Sequence, residues 1–124
     1  MKRILITGGR DFDDREKVFA TLDKIAASKG GLFIIHGGAK TRRRDGDGWY
    51  GADYFAGEWA ESRGMPCAEV DANWDYYGKA AGPTRNGWML LLQPDAVVAF
   101  PGNSGTADMV RRATAAGVPV MEVK

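Results

Sequence analysis

Five short runs of apolar and β-branched residues punctuate the chain, at 3–7, 32–36, 67–70, 96–100 and 118–123, and each leads into a glycine-bearing turn or a helical pattern. Such runs predict strands. The first, second and fourth are almost continuously hydrophobic rather than alternating, which is the pattern of parallel strands covered by helices on both faces. Between them the spacing changes to that of helices. Residues 15–28 put Val18, Leu22 and Ile25 on one face with Phe19 and Ala26 beside them. Asp13 or Asp14 stands ready to cap the first turn and Gly30-Gly31 ends the helix. Residues 52–63 carry Ala52, Phe55, Ala56, Trp59 and Ala60 at i, i+3, i+4, i+7 and i+8, with Gly64 as the stop. A third helix is predicted from Pro83 or Thr84 to Gln93, and a fourth from Thr106 to Ala116, closed by Gly117 and Pro119.

Strict alternation of strand and helix implies βαβ units with right-handed crossovers. The expected fold is α/β: a single Rossmann-like domain over 1–124, with a doubly wound parallel sheet of five strands, order 3-2-1-4-5, and helices on both faces. Ligands collect where the strand order reverses, here between the first and fourth strands. The loops that follow those strands are Gly8-Gly9-Arg10-Asp11 and Pro101-Gly102-Asn103-Ser104-Gly105-Thr106.

Composition narrows the function. At 44% hydrophobic and 27% charged the chain is that of a globular domain, and its 17 glycines predict tight turns or close backbone approaches to a ligand. A formal charge of +1 removes the long-range field of a dedicated duplex binder, so nucleic acid is not the expected partner. The lone Cys67 excludes an internal disulfide and a cysteine metal cluster. No stretch approaches the ~20 apolar residues of a membrane span. A cytoplasmic protein with no membrane partner, no metal and no bound cofactor is expected.

The loop after the fourth strand runs straight into a helix, so its N–H groups and the helix dipole converge where an anion would sit. Gly102 and Gly105 allow close approach, and the Ser104 and Thr106 hydroxyls add donors. Equally, this is an ordinary turn in which Ser104 or Thr106 caps the helix. Gly8, Gly9 and Arg10 could supply amides and a guanidinium, with Asp11 accepting from a sugar or base, unless Arg10 and Asp11 simply pair with each other. The absence of a GxGxxG pattern removes most support for a nicotinamide-dependent enzyme. His36, the only histidine, ends the second strand ahead of Gly37, Gly38 and Lys40; it faces a ligand or caps the strand. No Gly-x-Ser-x-Gly elbow accompanies it. Arg85 and Asn86, in the first turn of the third helix, could reach across the strand ends or remain solvated. Trp74, Tyr76 and Tyr77 could wall a base-stacking pocket or pack on the core or a second subunit.

Taken together, Gly8-Gly9-Arg10-Asp11-Phe12, His36-Gly37-Gly38-Ala39-Lys40 with Gly51-Ala52-Asp53-Tyr54, the stretch 78–90, and Gly105-Thr106-Ala107-Asp108-Met109 resemble the YspA-type branch of the SLOG superfamily. Its relatives include nucleotide-derivative sensors, the "lysine decarboxylase-like" phosphoribohydrolases and a DNA-binding branch that acts in transformation. The resemblance implies a nucleotide-like ligand and puts Gly8, Gly9, Arg10, Gly37, Gly38, Lys40, Arg85, Asn86, Gly102, Gly105 and Thr106 on the family's ligand-facing loops. Asp11, His36, Pro101, Asn103 and Ser104 complete the candidate ligand-binding set from the reading of the loops themselves. Two departures bear on activity. In the phosphoribohydrolases the last motif reads Pro-Gly-Gly-x-Gly-Thr-x-x-Glu, whereas here Asn103 replaces the third residue and Met109 stands where the glutamate would be. Asp108, one position away, points about 100° elsewhere on a helix; it and Arg85 are the weak catalytic candidates. The second departure is an insertion at 41–50, carrying Arg42, Arg43, Arg44, Trp49 and Tyr50, that forms either a lid or a mobile surface hairpin.

These observations support a sensor or binding domain for a nucleotide-derived phosphate. The alternatives are a nucleoside 5′-monophosphate phosphoribohydrolase and a single-strand nucleic-acid module built on Arg42 to Arg44 and Trp49. The third helix carries Trp88, Met89, Leu90, Leu91 and Leu92 all around, which fits a homo-oligomer or burial between layers of one subunit.

Overall fold

The computed structural model describes all residues 1–124. In chain order it contains β1 (Lys2–Thr7), α1 (Arg15–Lys29), β2 (Leu32–His36), a small hairpin of β3 (Thr41–Arg42) and β4 (Trp49–Tyr50), and α2 (Ala52–Ser62). There follow β5 (Cys67–Glu69), the short α3 (Trp74–Tyr77), a 3₁₀ turn (Gly78–Ala80), α4 (Ala81–Leu91), β6 (Ala96–Ala99), α5 (Ser104–Ala115) and β7 (Val120–Glu122).

Five strands form one parallel sheet in the order β5-β2-β1-β6-β7. Counting the sheet strands alone, this is 3-2-1-4-5, with β1 and β6 side by side at the reversal point. The register follows from the apolar runs: Ile4 lies beside Ile34, and Leu5 and Ile6 beside Val97 and Val98. Because successive strand side chains point to opposite faces, β1 feeds two cores. Ile4 and Ile6 join Val18, Leu22, Phe55 and Trp59 under α1 and α2, while Leu5 joins Ile35, Met89, Val97, Met109 and Ala113 under α4 and α5. Both faces of the sheet are therefore dry. The α1–α2 pair is clasped by Asp23, whose carboxylate accepts from the Trp59 indole N–H at 2.8 Å and from the Arg63 guanidinium at 2.9 Å.

Three local features depart from the sequence expectation. Residues 74–77, outside every predicted strand and helix, form a helical turn because the Asn73 carboxamide oxygen accepts the Tyr76 amide as an N-cap. Helix α4 starts at Ala81, which puts Pro83 within its first turn, where a missing N–H costs nothing. The insertion at 41–50 is a hairpin fastened to the loop after β1. Its Thr41 hydroxyl donates to the Arg10 carbonyl at 2.7 Å, and Arg43 grips the Asp13 carboxylate with both terminal nitrogens at 2.9 and 3.0 Å.

Just past helix α4 and its C-cap Leu92 stands Gln93, an exposed non-glycine residue at φ 55. A left-handed conformation costs about 1–2 kcal/mol per non-glycine residue, part of which glycine returns through its freer unfolded state. Replacing Gln93 by Gly is expected to raise unfolding stability by about 0.5–1 kcal/mol. Urea unfolding of the two proteins checks this, and a Gly variant that is less stable contradicts it.

Candidate functional site

The loops after β1 and β6 touch. The Gly9 N–H donates to the Pro101 carbonyl at 2.8 Å, and the Phe12 and Ala52 amides both close on the Gly9 carbonyl at 3.1 Å. This approach has no room for side chains: a Cβ on Gly8 would collide with the Ala52 Cβ at the head of α2 and lie 3.0 Å from the Cβ of Phe100, and one on Gly102 would lie 2.7 Å from the Gly9 nitrogen and collide with the Thr106 hydroxyl. The β6 loop enters α5 with Asn103 at the N-cap position and no side-chain capping bond. Neither Ser104 nor Thr106 acts as the cap. The first amide to find an intrahelical acceptor is that of Ala107, on the Asn103 carbonyl at 3.0 Å. The N–H groups of Ser104, Gly105 and Thr106 thus carry no internal partner, at an end of the helix with positive dipole potential.

Beside them opens a cleft of about 640 Å³ between α5 and the end of β7. Gly102, Asn103, Thr106 and Arg111 line it from the β6 loop and α5, and Glu122 and Lys124 from the β7 end. Arg111 belongs to the α5 motif, whereas Lys124 had no signal in the sequence, because only the packing of β7 against β6 brings the chain end to this loop. On the other flank Arg10 is exposed and pairs with no carboxylate; no Arg10–Asp11 ion pair forms. Asp11 instead accepts from the Thr41 hydroxyl at 3.3 Å.

The turn after β2 is built differently. All three of its amides have internal acceptors: Gly37 and Ala39 donate to Asp53 Oδ2 at 3.2 Å each, and Gly38 donates to His36 Nδ1 at 3.0 Å. Asp53 sits in the first turn of α2 and is 5% exposed; its other oxygen, Oδ1, is buried with no partner. Burial raises its carboxyl to about 6, against the Ala39 and Gly37 bonds and the charge of Arg85, with Glu69 adding to the rise. His36 is 3% exposed, its Nε2 3.0 Å from where a Cβ on Gly57 would stand, so α2 packs directly on the ring. Burial depresses it to about 4, helped by the Arg85 charge and opposed by Asp71. The imidazole is neutral near pH 7, with Nδ1 as acceptor and the proton on Nε2. Glu69 and Asp71 close the rim 2.9 Å from a Cβ on Gly38, and a hydrogen bond between their carboxyls, then burial, holds Glu69 above its ordinary range.

Arg85 and Asn86 cross from α4 to these loops. Arg85 Nη1 donates to the Gly37 carbonyl at 2.6 Å, in space that a Cβ on Gly37 would occupy. Its Nε donates to Asn86 Oδ1 at 3.2 Å, and the Asn86 amide donates to the Gly105 carbonyl at 3.2 Å and to Asp108 at 3.0 Å. Asp108 also accepts from Arg111 at 2.7 Å and Arg112 at 2.9 Å. Burial alone would raise its carboxyl, but the Asn86 and Arg112 hydrogen bonds and the two guanidinium charges outweigh it and hold the group below its usual range. Met109 is fully buried in the α4–α5 core. Lys40, by contrast, is exposed and lies over the Trp49 ring at 4.5 Å, with Arg42 at 5.4 Å from the same ring. Trp74, Tyr76 and Tyr77 stand exposed on α3, with Tyr77 edge-on to Trp88 at 5.8 Å.

The sequence profile of the YspA, cpYpsA-related SLOG family matches residues 2–77. The chain belongs to this family. The SLOG profile takes in the loop after β1, the β2 turn and Asp53, and ends before the α4 and α5 motifs. A relative, the Gene 61 protein of Mycobacterium phage D29, is 38% identical over 129 residues, covering 98% of this chain and 95% of its own. Among solved structures, the universal stress protein of Archaeoglobus fulgidus superposes with a TM-score of 0.55 at 18% identity, over 100% of this chain and 94% of its own. MurG of Acinetobacter baumannii gives 0.56 at 13% identity over 98% of this chain, which spans 35% of MurG. At these identities the structural neighbours establish the α/β fold. No helix of the protein is long and apolar enough to cross a membrane.

Asp53 and His36 impose opposite pH dependences on stability. The folded state raises Asp53 from 3.8 to about 6, so this group adds stability as pH falls through 6 and loses it as pH rises again. The folded state lowers His36 from 6.5 to about 4, so its contribution is present above 6.5 and lost as pH falls toward 4. At about 1.4 kcal/mol per pKa unit each is worth about 3 kcal/mol, and the two nearly cancel. Asp53→Asn is expected to unmask the acid loss, and His36→Asn an acid gain, in unfolding free energies measured from pH 4 to 7. Two variants with the same profile as the parent contradict the assignment.

Proposed function

We propose that this SLOG protein binds a nucleotide or nucleotide-derived phosphate, with the phosphate on the amides of Ser104, Gly105 and Thr106 at the head of α5. The observation that carries this is the uncapped helix end: three donors without acceptors, on a loop fixed against Gly9 and opening on a cleft of about 640 Å³. Gly102, Asn103 and the Thr106 side chain line that cleft with Arg111 and Lys124, while Gly8, Gly9, Arg10 and Asp11 form the neighbouring flank and Pro101 the link. Gly37, Gly38, His36, Arg85 and Asn86 support the site from behind. Lys40 lies over Trp49 of the hairpin, which is fastened to the Arg10–Asp13 side of the loop after β1.

The role is binding or sensing in a reducing, cytoplasmic setting rather than turnover. The position of the hydrolases' glutamate is a core methionine, and Asp108 is committed to Asn86, Arg111 and Arg112. Ser104 is the first residue of α5, where proline is compatible with the helix yet deletes the N–H. Ser104→Pro is expected to keep the fold and weaken AMP or ADP-ribose binding by about 1.5–3 kcal/mol, roughly 10- to 100-fold, in calorimetric titrations. Unchanged affinity, or no binding of any nucleoside phosphate to the parent, rejects the site. Free base released from AMP identifies the hydrolase instead.

The protein also works as a homo-oligomer in this proposal. Tyr76 is 78% and Leu91 77% exposed, with Trp74, Trp88 and Leu92 beside them on α3 and α4. Exposed apolar side chains gathered on two packed helices favour association. Sedimentation is expected to show a dimer or larger species that Leu91→Glu dissociates; a monomeric parent contradicts it.

A further inference from the structure

We infer that Asp53 is a positioning residue for the α5 loop, acting through a hydrogen-bonded relay that runs from α2 through the β2 turn and α4 to Gly105. The inference rests on the reading of the α5 head as the ligand site, and it assigns a task to a carboxylate whose own hydrogen bonds go to the β2 turn and not to the α5 head. Each link is present. Asp53 Oδ2 holds the Gly37 and Ala39 amides at 3.2 Å. The Gly37 carbonyl holds Arg85 Nη1 at 2.6 Å, Arg85 Nε holds Asn86 Oδ1 at 3.2 Å, and Asn86 holds the Gly105 carbonyl at 3.2 Å. Four separate chain segments meet in this relay, and Gly37 and Gly105 are its two backbone terminals.

The chemistry of Asp53 makes the relay responsive. A carboxylate that accepts two amide bonds does so with charge-assisted bonds about twice as strong as neutral ones. Its unpartnered Oδ1 is in a dry site, where an orphan acceptor costs about 1–3 kcal/mol. Protonation relieves the buried charge but weakens both amide bonds, and it also removes the negative partner that draws Arg85 toward the turn. Around the carboxyl, the charged and titratable groups are Arg85 from α4, Glu69 from the end of β5 with Asp71 and Lys40 acting on it, and His36 packed on Gly57 of the same helix. Loosening the Gly37 carbonyl frees the guanidinium that orients Asn86. The first turn of α5 then loses its outside anchor at Gly105.

The test reads main-chain amides by ¹⁵N-resolved NMR between pH 4.5 and 7.5 in the absence of ligand. In the parent, the amides of Gly37 and Ala39 and those of Ser104, Gly105 and Thr106 are expected to titrate with one shared midpoint near 6. Asp53→Asn is expected to abolish that titration at both ends. Arg85→Lys, which keeps the positive charge but loses the fork joining Gly37 to Asn86, is expected to leave Gly37 and Ala39 titrating while the α5 amides stop. If the α5 amides do not follow Gly37 in the parent, or still follow it in Arg85→Lys, the relay is overturned, and these two measurements decide even if Asp53→Asn does not fold. An AMP titration of the parent run alongside separates the two proposals, because a working relay without AMP binding removes only the ligand site.

Discussion

The fold depends at its centre on the hydrogen bond from the Gly9 amide to the Pro101 carbonyl. It extends the β1–β6 pairing one step beyond the sheet and forces two loops from distant parts of the chain into van der Waals contact. The consequence is a demand for a missing side chain at Gly102, whose Cβ would strike the Gly9 nitrogen, while Gly8 must be bare because its Cβ would strike Ala52 at the head of α2. Once the loops are locked, the direction in which α5 departs is fixed, and with it the direction in which the Ser104, Gly105 and Thr106 amides point. Backbone donors held this way need no reorganisation when an anion arrives.

The two glycine turns on the carboxyl edge look alike in sequence and do different physical work. The α5 head leaves its donors unspent. The β2 turn spends all of its amides on Asp53 and His36, and its carbonyl on Arg85. The first is the proposed ligand surface, and the second is a knot that ties α2, β2 and α4 together. The buried carboxylate and neutral imidazole within the knot have opposite proton affinities relative to the unfolded chain, which keeps the cost of burying ionisable groups from falling in one pH direction.

The strands were legible because both faces of the sheet are covered. Continuous apolar runs such as Ile4-Leu5-Ile6 and Val97-Val98 have no other economical placement. The reversal point was legible because glycine loops follow the two strands that flank it. Boundaries were less so: α4 begins two residues before Pro83, and Asn73 turns an apparent loop into a helical turn by capping it. Asp53, inside the Gly51-Ala52-Asp53-Tyr54 motif, carries no chemical signal of its own, since an acid in the first turn of a helix is ordinarily a dipole partner. Its significance needed the 37–39 turn, brought to it across the inserted hairpin. The one sequence sign was a charge flanked by Ala52, Phe55 and Ala56, all of them core residues. The commitment of Arg85 and Asp108 to internal partners likewise depends on contacts between α4, α5 and the β2 turn that no local pattern encodes.

A crystal structure of the protein grown with a nucleoside monophosphate tests the central claim most directly. Phosphate oxygens are predicted within hydrogen-bonding distance of the Ser104, Gly105 and Thr106 nitrogens, with the Gly37 and Ala39 amides still on Asp53. Phosphate bound at the 37–39 turn, with Asp53 displaced, would contradict it.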